Sequence, residues 1–141
     1  MIRNFQQPDI DQVISIWLEA SIKAHDFVDS EFWNSKAKDM REIYIPSGET
    51  YVCEEEGIIK GFVSLHNDTV AAVFVSPDSQ GTGIGMQLMR KAKDVRDNLN
   101  LTVYKENTKS IEFYKKCGFE IEQEQIDKHT GHLELVMKFN S

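Results

Sequence analysis

The sequence predicts an α/β (α+β) domain: a mixed, mostly antiparallel sheet flanked by about four helices. Three observations predict it. Strand-like and helix-like periodicities alternate along the chain in the order β-α-α-β-β-β-α-β-α-β-β. A glycine-rich loop, Gln80 to Gly85, joins a continuously apolar segment to an amphipathic one. The 141 residues, with 40% hydrophobic and 28% charged side chains, suit a single domain over residues 1–141 with one substantial core.

Met1 to Gln6 reads as a short strand. Pro8-Asp9 opens the first helix, with Asp9 and Gln12 spaced as a capping box. Ile10, Val13, Ile14, Trp17 and Leu18 give that helix one apolar face, which fades near His25-Asp26. A second helix is expected from Asp29 to Tyr44, striped by Phe32, Trp33, Ala37, Met40 and Tyr44 and ended by Pro46-Ser47-Gly48. Thr50 to Glu54 and Ile58 to His66 read as paired strands turning at Glu55-Glu56-Gly57, where Gly57 accepts a positive φ. Asn67-Asp68 is the next turn signal.

Thr69 to Ser76 is apolar almost without interruption and so reads as a strand buried on both faces. Gly83 to Asn98 is expected to be helical, with Ile84, Leu88, Met89, Ala92, Val95 and Leu99 on one side. Leu99 to Tyr104 follows as a strand, parallel to the apolar one because a helical crossover joins them. Asn107 to Lys116 is a short helix closed by Gly118. Glu120 to Asp127 and Leu133 to Phe139 form a final antiparallel pair.

Composition excludes several function classes. A net charge of −7 disfavours nonspecific nucleic-acid binding and is compatible with cationic partners such as amines. No apolar run is long enough for a membrane span, and the N-terminus has no signal-peptide core, which predicts a cytoplasmic chain without membrane attachment. Cys53 and Cys117 read as reduced core thiols, and no metal-ligand spacing involves them.

Gln80-Gly81-Thr82-Gly83-Ile84-Gly85 carries the chemistry. Glycines at a strand-to-helix turn let the backbone approach a ligand, and the free amides of the helix start favour a phosphate or pyrophosphate. The dinucleotide fingerprint requires a glycine where Met86 stands, and the P-loop requires a lysine after its second glycine where this chain has Met86-Gln87. Both fail.

The loop instead fits Q/R-x-x-G-x-G/A. Together with Ala72-Val73-Phe74-Val75-Ser76-Pro77 before it, and with Asn107 and Phe113-Tyr114-Lys115-Lys116-Cys117-Gly118-Phe119 beyond it, the chain resembles the GNAT superfamily of N-acetyltransferases over nearly its whole length. The resemblance implies the GNAT acyl-CoA N-acyltransferase fold and an acyltransferase that moves the acetyl group of acetyl-CoA directly to a primary amine in a ternary complex. Acetyl-CoA is the co-substrate, with no metal. The acceptor is a small amine, a protein lysine or a protein N-terminus, and the enzyme is a monomer or homodimer. The alternative is a non-catalytic acyl-CoA-binding sensor.

By the same resemblance, the backbone of Gly81, Thr82, Gly83, Ile84, Gly85 and Met86, opened by Gln80, holds the pyrophosphate. The edge of Val73, Phe74 and Val75 holds the pantetheine arm, and a backbone amide there polarises the thioester carbonyl. Asn107 lies near that arm, although Asn is also a favoured helix N-cap. Tyr114 is the general acid for the departing thiolate, because a phenol keeps its proton at neutral pH. Relatives that acetylate protein N-termini often carry a glutamate base where this chain has Thr102, which leaves the base unassigned. Candidates for base or acceptor contact are His25 and Phe27 between the first two helices, Glu42, Glu54 and His66.

Overall fold

The computed structural model describes residues 1–140. Seven strands form one sheet in the order β1-β2-β3-β4-β5-β7-β6. The strands are β1 (Ile2–Asn4), β2 (Glu49–Glu55), β3 (Ile58–His66), β4 (Thr69–Val75), β5 (Asn98–Tyr104), β6 (Glu120–Ile126) and β7 (Leu133–Asn140). The helices are α1 (Ile10–Ala24), α2 (Ser30–Asp39), α4 (Ile84–Val95) and α5 (Thr108–Lys116), with α3 (Ile45–Ser47) a single turn. A π-helical turn, Met40–Tyr44, joins α2 to α3, so the helical path continues to the glycine at position 48. Every strand pair is antiparallel except β4 with β5.

Helices cover both faces because each presents one apolar stripe. Ile10, Val13, Ile14 and Trp17 of α1 and Trp33 of α2 pack on Val52, Phe62 and Ala72 of the sheet. The Trp17 and Trp33 rings meet edge to face at 6.1 Å. On the other face, Ile84, Leu88, Met89 and Ala92 of α4 and Ile111 of α5 pack on Leu99, Leu101, Val103 and Met137. The α4 helix ends at Val95, and Leu99 belongs to β5 rather than to the helix stripe.

Two local readings change. The capping box at the first helical segment runs from Gln6 to Asp9: the Gln6 amide donates to Asp9 Oδ2 at 2.8 Å, and a short 3-10 turn, Gln7–Asp9, precedes α1. Gln12 instead accepts from the Ile59 amide at 2.9 Å and ties α1 to β3. The hairpin between β2 and β3 turns on Glu56 and Gly57, both at positive φ (52° and 79°), the mirror-image turn that matches strand twist. Among the described residues no helix is long and apolar enough to cross a membrane.

Candidate active site

The β4 strand is less buried than its composition predicts. Val70 and Ala72 are buried, Val73, Phe74 and Val75 are half-buried, and Ala71 is exposed. The reason lies in strand pairing. On one side β4 follows β3, with one irregularity: Ser64 pairs with Ala72 and Leu65 with Val70, which leaves Ala71 as an extra residue. Such a bulge bends and twists a strand. On the other side the β4–β5 ladder has one residue pair, Thr69 with Asn100, reinforced by Asn100 N–H to the Asp68 carbonyl at 2.9 Å and Thr69 Oγ1 to Asn100 Oδ1 at 2.8 Å. Beyond that pair the two parallel strands diverge. The edge of Val73, Phe74 and Val75 toward β5 therefore keeps backbone groups that no strand satisfies.

The glycine loop begins where that edge ends. A 3-10 turn, Pro77–Ser79, leads into it, and Gln80 Nε2 donates to the Val75 carbonyl at 3.2 Å, which folds the loop back on the strand. Thr82 Oγ1 donates to the Ser79 carbonyl at 2.5 Å. Gly81 and Gly83 have φ of 81° and 88°, the left-handed region that disfavours any side chain. A Cβ at either would meet nothing within 4 Å, so the space above both is open. Gly85 is constrained differently: a Cβ there would come within 3.2 Å of the Phe113 ring. It lets α4 close on α5.

Gly83 caps α4, whose first turn has neither a side-chain cap nor an acidic residue. Its amides thus face an open space with the positive end of the helix dipole behind them, an arrangement that fits a pyrophosphate. Helix-start amides at an open loop, beside an unpaired strand edge, suit the pyrophosphate and the amide-bearing arm of a CoA molecule.

The α5 helix brings a second set of groups beside the same loop. Asn107 caps it, with Oδ1 accepting from the Ser110 amide at 3.3 Å, and Gly118 follows its end at φ 94°. Tyr114 is half-buried and packs on Phe113 and Phe119, with ring centroids at 5.5 and 5.9 Å. Burial pushes its phenol well above 10, and no acceptor among the described residues holds the hydroxyl. Cys117, one turn on, lies with its sulfur 3.5 Å from Met86 Sδ. This contact and the Gly85–Phe113 approach seat the Tyr114 turn beside the loop.

The acceptor-side candidates separate. His25 is buried, stacked on Trp33 at 5.0 Å, and its Nε2 lies 3.2 Å from Asn107 Nδ2. Burial lowers its proton affinity below the ordinary value. Phe27 lies edge to face with Tyr104 and His132 at 5.5 and 5.1 Å. Glu42 is exposed on the π turn. His66 sits near the single β4–β5 pair, at the closed end of the split, with Nε2 3.1 Å from the Tyr44 carbonyl oxygen. Glu54 is bound to Arg3 at 2.7 Å. Thr102 is exposed on β5, between buried Leu101 and Val103.

Sequence reasoning passed over Tyr104, His132 and Asp127. Tyr104 hydroxyl donates to Asp127 Oδ2 at 2.5 Å, and His132 Nδ1 lies 3.2 Å from Glu106 Oε1. Asp127 also lines an open hollow of about 880 Å³ along the β6–β7 hairpin, with Glu124, Ile126, Leu133 and Glu134. The available signal was alternation: Tyr104 falls on the strand face opposite Leu101 and Val103.

Comparison with known proteins agrees with this geometry. A sequence model of the family described as "Acetyltransferase (GNAT) domain" matches residues 46–121. The peptidyl-lysine N-acetyltransferase YiaC of Escherichia coli (strain K12) is 34% identical over 122 residues, covering 86% of this chain and 84% of that protein. The solution structure of the apo form of YjaB from Escherichia coli superposes with a TM-score of 0.86 at 25% identity, over 99% of this chain and 96% of that one. The PaiA N-acetyltransferase of Thermoplasma acidophilum, crystallised with coenzyme A, shares the fold with a TM-score of 0.83 at 15% identity, over 100% and 98% of the two chains. By the family model that matches it and the relatives it resembles, this chain belongs to the GNAT family of acetyltransferases.

Proposed function

We propose that this chain, acting as one domain, transfers the acetyl group of acetyl-CoA to the side-chain amine of a protein lysine. The split between β4 and β5, with the glycine loop at its mouth, carries the reading. It offers an extended amide-bearing edge and an uncapped helix start in the order that a pantetheine arm and a pyrophosphate require. The lysine acceptor is supported by YiaC, named a peptidyl-lysine N-acetyltransferase. Phe27, Tyr104 and His132 on the acceptor side, with Glu106 and Asp127 beside them, suit a cationic side chain. Two buried free thiols, Cys53 and Cys117, suit a reducing cytoplasm.

Acetyl-CoA, when bound, supplies an activated thioester. The amides of Gly81 to Met86 hold its pyrophosphate, with Gln80 fixing the loop to the strand. The free edge of Val73, Phe74 and Val75 orients the arm, and an amide there polarises the carbonyl. Tyr114 keeps its proton at neutral pH as an ordinary phenol does, with burial acting in the same direction, and it delivers that proton to the departing sulfur. Neither Thr102 nor His25 offers a free basic atom, since both His25 ring nitrogens are engaged. The acceptor amine loses its proton to solvent at the open cleft.

The experiment is a free-thiol release assay with acetyl-CoA and a panel of lysine peptides, N-terminal peptides and spermidine, alongside calorimetric titration of acetyl-CoA. Lysine peptides should turn over fastest. Tyr114→Phe should lower kcat by about 100-fold or more while acetyl-CoA affinity stays within about twofold. Spermidine as the fastest acceptor would move the acceptor class. Binding without turnover on any acceptor would make the protein a sensor.

A further inference from the structure

His25 stands at the C-terminal end of α1 with both ring nitrogens engaged. Nδ1 lies 3.0 Å from the Ser21 carbonyl oxygen and Nε2 lies 3.2 Å from Asn107 Nδ2. These partners fix the protonation. A carbonyl only accepts, so Nδ1 carries the hydrogen; an amide nitrogen only donates, so Nε2 carries the lone pair. The Asn107 orientation is fixed in turn, because its Oδ1 accepts from the Ser110 amide at 3.3 Å. Both side chains are buried, at 8% exposure each. Trp33 stacks on the imidazole, and Phe27 and Tyr104 meet it edge-on at 5.8 and 5.2 Å, which leaves the ring little freedom to turn.

The bonds run in series from the last turn of α1, through His25 and Asn107, to the first turn of α5. They join residues 82 apart in sequence. One end belongs to the acceptor side of the cleft, the other to the helix that carries Tyr114. The α5 helix has only nine residues, too few to hold a helix by propensity alone, so its position depends on what anchors its first turn.

We propose that His25 is a positioning residue: its neutral imidazole holds Asn107 in place and so fixes the start of the Tyr114 helix to the acceptor side of the cleft. The role rests on the reading of Asn107 and Tyr114 given above, and it needs no contact between His25 and either substrate. Burial, which disfavours the imidazolium, keeps the ring in the accepting state that Asn107 requires. A protonated His25 would present a donor to a donor.

The test has a structural and a functional arm. In ¹⁵N NMR of the ligand-free protein, His25 should be the Nδ1–H tautomer with Nε2 as acceptor, and Asn107→Ala should shift the Nε2 resonance. An Nε2–H tautomer, or an Nε2 indifferent to Asn107→Ala, would overturn the proposal. In calorimetric titration with acetyl-CoA, His25→Phe keeps the stacked ring but removes both nitrogens and should weaken binding about tenfold, the scale of one buried hydrogen bond. His25→Gln, whose side-chain oxygen reaches toward the same place, should restore most of the loss. His25→Asn, too short to reach Asn107, should not, and it serves in place of the Phe variant if that one does not fold. The double variant with Asn107→Ala should bind no more weakly than Asn107→Ala alone. Additive losses, or unchanged binding in His25→Phe, would refute the role. If the parent protein shows no acetyl-CoA binding, the functional reading fails instead. The NMR arm and the same cycle read in thermal unfolding then decide whether His25 holds Asn107.

Discussion

Gly83 starts α4 at φ 88°, and a Cβ built on it meets nothing within 4 Å. Gly83→Asp therefore introduces backbone strain without a clash. A side chain in the left-handed region costs about 1–2 kcal/mol, and a carboxylate at an uncapped helix start offsets about 0.3–1 kcal/mol of that. The net loss of about 1 kcal/mol lowers Tm by about 4 °C in a chain of this size. Binding should suffer far more. A carboxylate about 5 Å from one pyrophosphate charge repels it by about 3 kcal/mol at an effective dielectric of about 20. That is about 100-fold in acetyl-CoA affinity. Gly83→Asn separates the causes, since Asn tolerates the same backbone and lacks the charge. Calorimetric titration with acetyl-CoA should find the Asn variant within about tenfold of the parent and the Asp variant about 100-fold weaker, with the Asp penalty shrinking as salt is added. Equal affinities in the two variants would refute the placement of the pyrophosphate on this loop.

Further expectations concern packing and pH. Gly85→Ala places a methyl 3.2 Å from the Phe113 ring; it should cost about 1–2 kcal/mol in urea unfolding and lower kcat by displacing the turn that carries Tyr114. Asp9 accepts from Arg3 at 2.8 and 2.9 Å, and this hydrogen bond holds its carboxyl below the ordinary 3.8. Its contribution to stability is present above pH 3.8 and is lost as pH falls through the lowered folded value. Asp9→Asn should flatten the acid limb of the stability curve below about pH 4.

Much of the fold was legible because its signals are local. The α1 stripe of Ile10, Val13, Ile14 and Trp17 is buried as its spacing predicts, and the crossover to β5 is parallel. Asn107 caps α5 and Gly118 follows it at positive φ, both as read from residue type. What was misread depends on distant pairing. Thr69 to Ser76 looks like a strand buried on both faces because apolar content reports the preference of side chains, not whether a neighbouring strand arrives. Here β5 meets it at one residue and diverges. Gln12 has the spacing of a cap partner, yet β3 offers it the Ile59 amide. His25 was legible only as a candidate between two helices, because nothing in its neighbours in sequence announces Asn107, Trp33 and Tyr104 around it. The aromatic cluster of Phe27, Tyr104 and His132 draws on three separate elements and leaves no motif.

The bulge at Ala71 and the single β4–β5 pair give this sheet edges in its interior as well as at β1 and β6. An unpaired edge is ordinarily a template for association with other chains. Inside a cleft it is shielded from other proteins and remains open to a narrow, amide-bearing guest. Such a guest completes the hydrogen bonding of the sheet, so ligand binding and fold stability become one equilibrium. Each tenfold excess of ligand over its Kd adds about 1.4 kcal/mol to the folded state. A donor seated along that edge, as proposed above, would act as a non-covalent strand of the architecture for as long as it stayed.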